Sequence, residues 1–531
     1  MSNFPRRLPT MTRSSILCQN SQNTTFLLDI PTSIALAQDL SSSQQRPSPG
    51  SSELDPIKSI SRIHKSTNTR YLLSSTPLKD PYPVSTEPKS HAAKAKVLQR
   101  IPVSERAFYD TIAPLVRDAL REIRESLGAG AEWCFGRKDL AQNCAQGEPA
   151  HRDQGAVALG KRSRKAKEPN RDESCRFPVD DYVDSVTREK STEVRGAPRD
   201  PEPGNPPLIL SPGVNLFGSM SSLCNLVVRN TSLRHATVEV RCESEKLDNA
   251  TGSEYAERHY HTYDIPPLSS FLLCNLPVSQ SSMKPSNSTD PIPGLPRDRK
   301  FDLILLDPPW LNRSVRRSGH YHTQSYLEGD LLTQHIRDIL RVHLQNSHYI
   351  PPTDNENDVI STQKLVEKQT HRSIAAIWIT NSAKARKTAY DAIQGVGLSV
   401  CEEWVWIKTT TNGDPITPLD GLWRKPYEVL VIGMKQHPRL QTDPIGKGGD
   451  GVVTRRFIAA VPDVHSRKPN LREIFEKIFF GGTSPSGQWG DIVAYSALEV
   501  FARNLTAGWW ACGDEALKFN SEEWWVNGND V

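Results

Sequence analysis

Phe301-Asp302-Leu303-Ile304-Leu305-Leu306-Asp307-Pro308-Pro309-Trp310 is an apolar run that ends on an acidic, proline-locked turn. Residues 301–306 are apolar at nearly every position. That is the pattern of a strand covered on both faces, as in a parallel sheet. The stretch predicts a strand, and its carboxyl end is where an open α/β sheet binds its ligands. The turn that follows offers a carboxylate (Asp307), two residues with no N–H and a fixed φ (Pro308 and Pro309), and a wide aromatic face (Trp310).

Strand patterns continue outward on both sides. Upstream are Asn225–Arg229, Ala236–Val240 and Phe271–Cys274; downstream are Ile374–Thr380, Glu403–Thr409, Tyr427–Met434, Phe457–Val461 and Leu498–Ala502. Helical patterns separate the later ones, at Ala383–Gln394 and at Pro469–Phe479, where Pro469 is expected in the first turn. Strands alternating with helices over 262–520 predict a mainly parallel α/β sheet. The polar segment 345–371 breaks the rhythm and reads as a surface insertion. Trp404 and Trp406 read as core.

Nearer the amino end the composition changes. The chain has 531 residues, of which only 37% are hydrophobic and 40 are proline, so a folded part and substantial disorder are expected. Residues 1–100, rich in Ser, Pro, Thr and Gln, are expected to be disordered. Residues 101–205 read as an amphipathic helix followed by a basic linker. Phe108, Ile112, Leu115, Ala119, Ile123 and Leu127 share one helix face, with Ser104 as the cap, Gly128 as the stop, and Pro114 implying a kink or a later start. The linker carries Lys161-Arg162-Ser163-Arg164-Lys165-Ala166-Lys167, a solvated charge run that can also serve as a nuclear address or an RNA-touching arm. Residues 206–261 are expected to form a small β-rich accessory region, and 262–520 the catalytic domain.

Bulk properties remove several classes. Net charge is only +4, which permits a polyanionic partner without requiring one. Nine cysteines occur without a C-x-x-C pair, which argues for reduced thiols in an intracellular protein and against a disulfide or zinc framework. The fourteen histidines show no metal spacing; His320 and His322 read as surface or substrate-loop residues. No apolar run is long enough to span a membrane, and no apolar core follows Arg6 and Arg7 as a secretory signal would need.

The acidic turn suits one difficult reaction. The exocyclic amine of adenine is a poor nucleophile because its lone pair is delocalised into the ring. A carboxylate and a carbonyl that accept its two hydrogens favour the tetrahedral nitrogen needed to attack a methyl group, and an aromatic face holds the base. A plain strand-ending Asp-Pro-Pro turn with a packing Trp is the competing reading. The loop that follows, Leu311 to Tyr321, carries Arg313, Arg316, Arg317 and Tyr321, side chains suited to phosphate contacts and base stacking. Lys425 and Glu428, in Lys425-Pro426-Tyr427-Glu428, either border the substrate pocket or form the turn into the next strand.

Several of these stretches occur in a family order. Phe301 through Trp310, Ser314-Val315-Arg316-Arg317-Ser318, Pro418-Leu419-Asp420, Lys425 to Glu428, His465-Ser466-Arg467-Lys468-Pro469 and Leu498 to Leu505 resemble the mRNA-adenosine methylase family in sequence and order. The resemblance covers residues 207–520, more weakly before 262. It implies a Rossmann-like S-adenosylmethionine-dependent methyltransferase of the permuted class, with the catalytic motif before the main cofactor strand. It implies Asp307, Pro308, Pro309 and Trp310 as the catalytic turn and Lys468 at the cofactor's carboxylate. Asn275 and Leu276 would lie at its adenine, Arg503 and Asn504 at the end of the cofactor strand, and Asp514 and Glu515 at the cofactor-binding position where the family has an Asn followed by Glu or Gln. Asn275 stands where relatives carry Asp, Asp514 where they carry Asn, and Arg467 where they carry His, while Gly481–Tyr495 is longer than usual. The implied activity is methyl transfer to the N6 amine of adenine in nucleic acid, RNA before DNA, with a small nuclear RNA adenosine already 2′-O-methylated as one candidate and the nucleus as the place of action. A non-catalytic RNA-binding partner of the same fold is the alternative, but such relatives lose the Asp or the Trp, and both are here.

Overall fold

The computed structural model describes residues 14–40, 70–83, 88, 90–128, 130–139, 206–247, 254–276, 290–310, 330–345, 373–422, 424–435, 453–483, 489–492 and 495–527. Residues 1–138 and 206–531 form one compact unit; of the second, 139–205, only Asp139 is described. The basic run Lys161–Lys167, the insertion 346–371 and the loop 311–329 lie outside the described residues.

A twelve-stranded sheet runs through the main unit. In chain order its strands are β1 (Ile16–Gln19), β2 (Thr25–Leu28), β3 (Leu208–Ile209), β4 (Val227–Arg229), β5 (Ser270–Leu272), β6 (Leu303–Leu306), β7 (Ile374–Ile379), β8 (Ser399–Lys408), β9 (Tyr427–Met434), β10 (Thr454–Ala460), β11 (Ala497–Val500) and β12 (Trp510–Cys512). Their spatial order is β1-β2-β10-β8-β9-β7-β6-β11-β12-β5-β4-β3. The strand that decides the fold, β6, sits near the middle. Its four residues are buried, and it pairs in parallel with β7 on one side and β11 on the other, Leu303 meeting both Ile374 and Ala497. β7 (Ile-Ala-Ala-Ile-Trp-Ile) is buried at every position, as a strand covered on both faces must be.

The run β7-β6-β11-β12-β5 is parallel throughout. β9 is antiparallel to both its neighbours, β7 and β8, while β8, β10 and β2 are parallel to one another. This topology gathers one end of the sheet. The chain leaves β5, β6, β8, β10, β11 and β12 there and enters β9 there. Every loop that follows Leu272, Leu306, Lys408, Ala460, Val500 and Cys512, and the turn before Tyr427, therefore opens at one edge.

Helices cover the faces. α1 (Ile30–Ala37) is capped by Asp29, whose carboxylate accepts from Thr32 N at 3.1 Å, and carries a proline in its first turn. α2 (Val103–Leu127) buries Ile112, Val116, Ala119, Leu120 and Ile123, and ends at Gly128 with φ +83°. Its cap position is Pro102, so Ser104 lies inside the first turn and is not the cap; the helix runs through Pro114. α3 spans Asp330–His343. α4 (Ala383–Gln394) is capped by Ser382, which accepts from Ala385 N at 3.1 Å. The helix expected from Pro469 is shorter: one turn, Arg472–Phe475, runs on as a π turn over Glu476–Phe480. Pro469 precedes it, because Asn470 folds back and accepts from Arg472 N at 3.0 Å.

Two expectations need correction. Residues 1–100 are not uniformly a disordered leader. β1, β2 and α1 lie within it, and Phe26, Leu27, Leu28, Ile30 and Ile34 are fully buried. A strand at Arg70–Ser74 also belongs to it and pairs with Trp525–Asn527. The short runs Ile16-Leu17-Cys18 and Thr25-Phe26-Leu27-Leu28 are diluted by polar neighbours, and β2 finds its partner β10 more than four hundred residues downstream. The second correction concerns 206–261. β3 and β4 join the main sheet, whereas Gly213–Phe217, Ala236–Leu247 and Glu254–Ile265 form a separate three-stranded sheet whose last strand crosses position 262.

Candidate active site

Asp307 follows β6 directly, and its backbone N–H still bonds Val500 O on β11 at 3.2 Å, so the turn begins as an extension of the sheet. Its carboxylate meets Lys468, whose Nζ donates to both oxygens at 2.9 and 2.8 Å, and Arg503, whose Nη1 lies 3.5 Å from Oδ2. Lys468 comes from the loop after β10 and Arg503 from the loop after β11. The parallel topology is what brings them together.

The network extends to both sides. Lys468 Nζ lies 3.4 Å from Glu428 at the start of β9, and Lys408, the last residue of β8, donates to Glu428 at 2.5 Å. Burial alone would raise the Glu428 carboxyl; Lys408 and Lys468 overcome this and hold it down at about 2. The same exchange works in reverse for Lys468: burial disfavours its charge, but Asp307 and Glu428 raise its pKa. On the other side Arg503 Nε donates to Glu515 at 2.8 Å, and Lys518 reaches the second oxygen at 2.8 Å. Burial opposes the ionisation of Glu515, and Arg503 and Lys518 outweigh it, so its pKa is lowered. Asp514 beside it is raised, by burial and by Glu515.

Pro308 is buried and Pro309 half-buried. Trp310 is fixed by its indole N–H, which donates to Trp378 O at the end of β7 at 2.8 Å. The Trp378 ring packs edge-on against Trp406, with centroids 6.1 Å apart, and Lys468 Nζ lies 5.5 Å from its centre. The cationic and aromatic parts of the site thus touch at Trp378.

Asp307, Lys468, Glu428, Arg503 and Glu515 form one connected cluster. Asn275 is exposed and Leu276 buried in the loop after β5, which is tied to the loop after β12 by Gly513 N donating to Leu272 O at 3.2 Å. Asn504 is half-buried and bonds the neighbouring Leu505 carbonyl at 3.4 Å. Lys425 is held elsewhere: it donates to Leu419 O at 3.0 Å and sits over the Tyr109 ring of α2. That places it in the turn into β9 rather than in the cluster. Arg467 also points away, into the interior. Arg313, Arg316, Arg317 and Tyr321 lie outside the described residues.

Three participants escaped the sequence reading. Glu499 lies on β11 opposite Leu305, which stands two residues before Asp307. Burial, and next the Asp307 carboxylate, push its carboxyl up to about 8. The available signal was a lone acid inside the otherwise apolar Ala497-Leu498-Glu499-Val500. Lys408 and Trp378 were legible only as strand residues, because nothing local says that two strand ends share a site. Among the described residues no group of acids, histidines or cysteines could hold a metal ion, and no helix is long and apolar enough to cross a membrane.

The chain is similar to the N6-methyladenosine RNA methyltransferase MTA1 of Cryphonectria parasitica, 36% identical over 230 residues, 43% of this chain and 54% of the relative. It is similar to the human N(6)-adenine-specific methyltransferase METTL4, 28% identical over 327 residues, 58% of this chain and 57% of the relative. A DNA N6-methyl methyltransferase of Caenorhabditis elegans is 24% identical over 290 residues, 53% of this chain and 60% of the relative. The chain thus spans about half the length of the curated relatives it matches. The match to the MT-A70 family begins at Phe301 and ends at Glu515, enclosing the whole Asp307–Lys468–Arg503–Glu515 cluster, and the chain therefore carries an MT-A70 family domain over residues 301–515.

Proposed function

We propose that this chain transfers a methyl group to the N6 amine of adenine in nucleic acid, with RNA as the substrate. The observation that carries the reading is the placement of Asp307. A carboxylate at the carboxyl end of a central strand is held by Lys468 and Arg503 beside an indole, Trp310, that is itself locked by a backbone carbonyl.

The residues fit S-adenosylmethionine by the chemistry of their charges. An amino-acid end with one ammonium and one carboxylate matches Lys468 set among Asp307 and Glu428. Glu515 and Asp514 offer acceptors for ribose hydroxyls, and Asn275 with Leu276 offers a polar edge and an apolar wall for a base. When bound, S-adenosylmethionine supplies the methyl group on an electrophilic sulfonium. Asp307 and a carbonyl of the Pro308–Pro309 turn accept the two hydrogens of the adenine amine, and this draws its lone pair out of the ring. Trp310 provides the face against which the base rests. Because the amine must reach a turn at the edge of a sheet, the base enters unstacked from its strand.

RNA is favoured by the relative at 36% identity, whose name is that of an RNA methyltransferase. A 2′-O-methylated adenosine of a small nuclear RNA is the finer form of the proposal, and the nucleus the corresponding place of action. Incubation of the purified chain with methyl-labelled cofactor and either total RNA or genomic DNA separates the cases. Label in N6-methyladenosine from RNA is expected. Label in DNA alone would replace the substrate, and label in neither would leave a non-catalytic binding protein.

A further inference from the structure

Lys468 belongs to a loop that a second, buried cluster holds from behind. After β10 the chain runs Val461-Pro462-Asp463-Val464-His465-Ser466-Arg467-Lys468. Ser466 adopts φ +67°, a left-handed conformation that costs a non-glycine residue free energy and persists only where its surroundings impose it. The residues on either side show what imposes it. Arg467 is driven inward: its side chain and that of Asp463 are both fully buried, and Nη1 donates to Asp463 Oδ2 at 2.6 Å and to Leu73 O at 2.8 Å. Its guanidinium lies over Phe519 and Trp524, 4.3 and 4.7 Å from the ring centres. Asp463 also accepts from Ser74 Oγ at 3.2 Å and from Ser75 N at 2.8 Å. Arg137 closes the cluster by donating to Pro462 O and Val461 O, each at 2.7 Å. Consecutive side chains thus face opposite ways: Arg467 into the lock, Lys468 into the active site.

We propose that Arg467, paired with Asp463 and anchored on residues 73–75 of the amino-terminal segment, is a positioning residue that fixes Lys468 for cofactor binding. A buried ion pair is often no more stabilising than apolar packing of the same volume. Stability alone therefore gives little reason to place an arginine here. A rigid turn with a defined direction gives one, since the strained Ser466 must hold while the next residue carries a charge to a set point. The lock ties the cofactor lysine to residues 73–75, almost four hundred positions upstream.

The proposal rests on the reading that Lys468 grips the cofactor, and a double-mutant cycle separates the two. S-adenosylmethionine binding is measured by calorimetry on the full chain for wild type, Lys468→Ala, Arg467→Lys and the double variant. Lys468→Ala is expected to weaken binding roughly 10- to 100-fold. Arg467→Lys is expected to weaken it about fivefold in the wild-type background and by almost nothing in the Lys468→Ala background, since it acts through Lys468. An equal loss in both backgrounds, or no loss in the wild type, overturns the lock while leaving Lys468 as the cofactor residue. No loss in Lys468→Ala itself overturns both. If Arg467→Lys does not fold, Asp463→Asn takes its place in the same cycle, with the same expectations.

Discussion

Removing residues 1–40 should unfold the main unit. The segment supplies β1, β2 and α1, with Phe26, Leu27, Leu28, Ile30 and Ile34 fully buried. Five such side chains contribute about 1.5–3 kcal/mol each, or about 8–15 kcal/mol together. The net stability of a folded domain is about 5–15 kcal/mol, so the loss is of the same size. Polar links add to it: Glu473 accepts from Ser14 and Ser15, Asn470 N donates to Ser33 Oγ at 3.0 Å, and Gln38 donates to Leu505 O at 2.8 Å. These partners flank Lys468 and Arg503. A graded version avoids wholesale collapse. Phe26→Ala, opposite Ile458 in the β2–β10 register, should cost about 3–5 kcal/mol. With a urea dependence of about 1–3 kcal/mol per molar, the unfolding midpoint should fall by about 1 M or more. Tryptophan fluorescence in urea reads this. A truncated chain with the wild-type midpoint and undiminished cofactor binding would refute the reasoning and return the segment to the status of a dispensable leader.

Two further outcomes follow from the site and its loop. Glu499 is raised to about 8 in the folded chain from an ordinary value of 4.5, so the stability it contributes is complete below about 4.5 and is lost as pH rises through about 8. Glu499→Gln should flatten that decline, by at most about 1.4 kcal/mol per pH unit; melting temperatures of the two proteins between pH 5 and 9 check it, and parallel curves would show that Glu499 titrates normally. Arg316→Ala with Arg317→Ala should lower RNA affinity without changing cofactor affinity, and should reduce the log–log salt slope by about 1–2 units if both meet phosphates. Binding isotherms across a salt series decide, and an unchanged slope transfers the role of substrate capture to the basic run around Lys165.

What the sequence shows is what local pattern can carry. β6, β7, β9 and α4 were legible because their burial is continuous or periodic within a few residues, and α4 begins after the serine that caps it. β2 was not, because its four apolar residues gain meaning only from β10. The Glu254–Ile265 strand crossed the expected boundary for a similar reason: a strand belongs to the sheet that pairs with it, not to the composition around it. In the site, Asp307 was readable from its own strand and turn, and Lys468, Arg503 and Glu515 from ordered resemblance. Their mutual contacts come from which strand ends share an edge. Glu499 and Lys408 join the cluster by that topology alone, whereas Lys425, near Glu428 in sequence, turns to α2.

The most direct test of the central claim is nucleoside mass spectrometry of RNA incubated with S-adenosylmethionine and either the wild-type chain or Asp307→Ala, with melting temperature and RNA binding measured on the same preparations. If the carboxylate at the end of β6 orients the adenine amine, the wild type forms N6-methyladenosine, and the variant forms none while it still folds and still binds RNA. N6-methyladenosine made by a folded Asp307→Ala variant at the wild-type rate would contradict the account, because the chemistry would then not depend on the group that the whole sheet edge is arranged around.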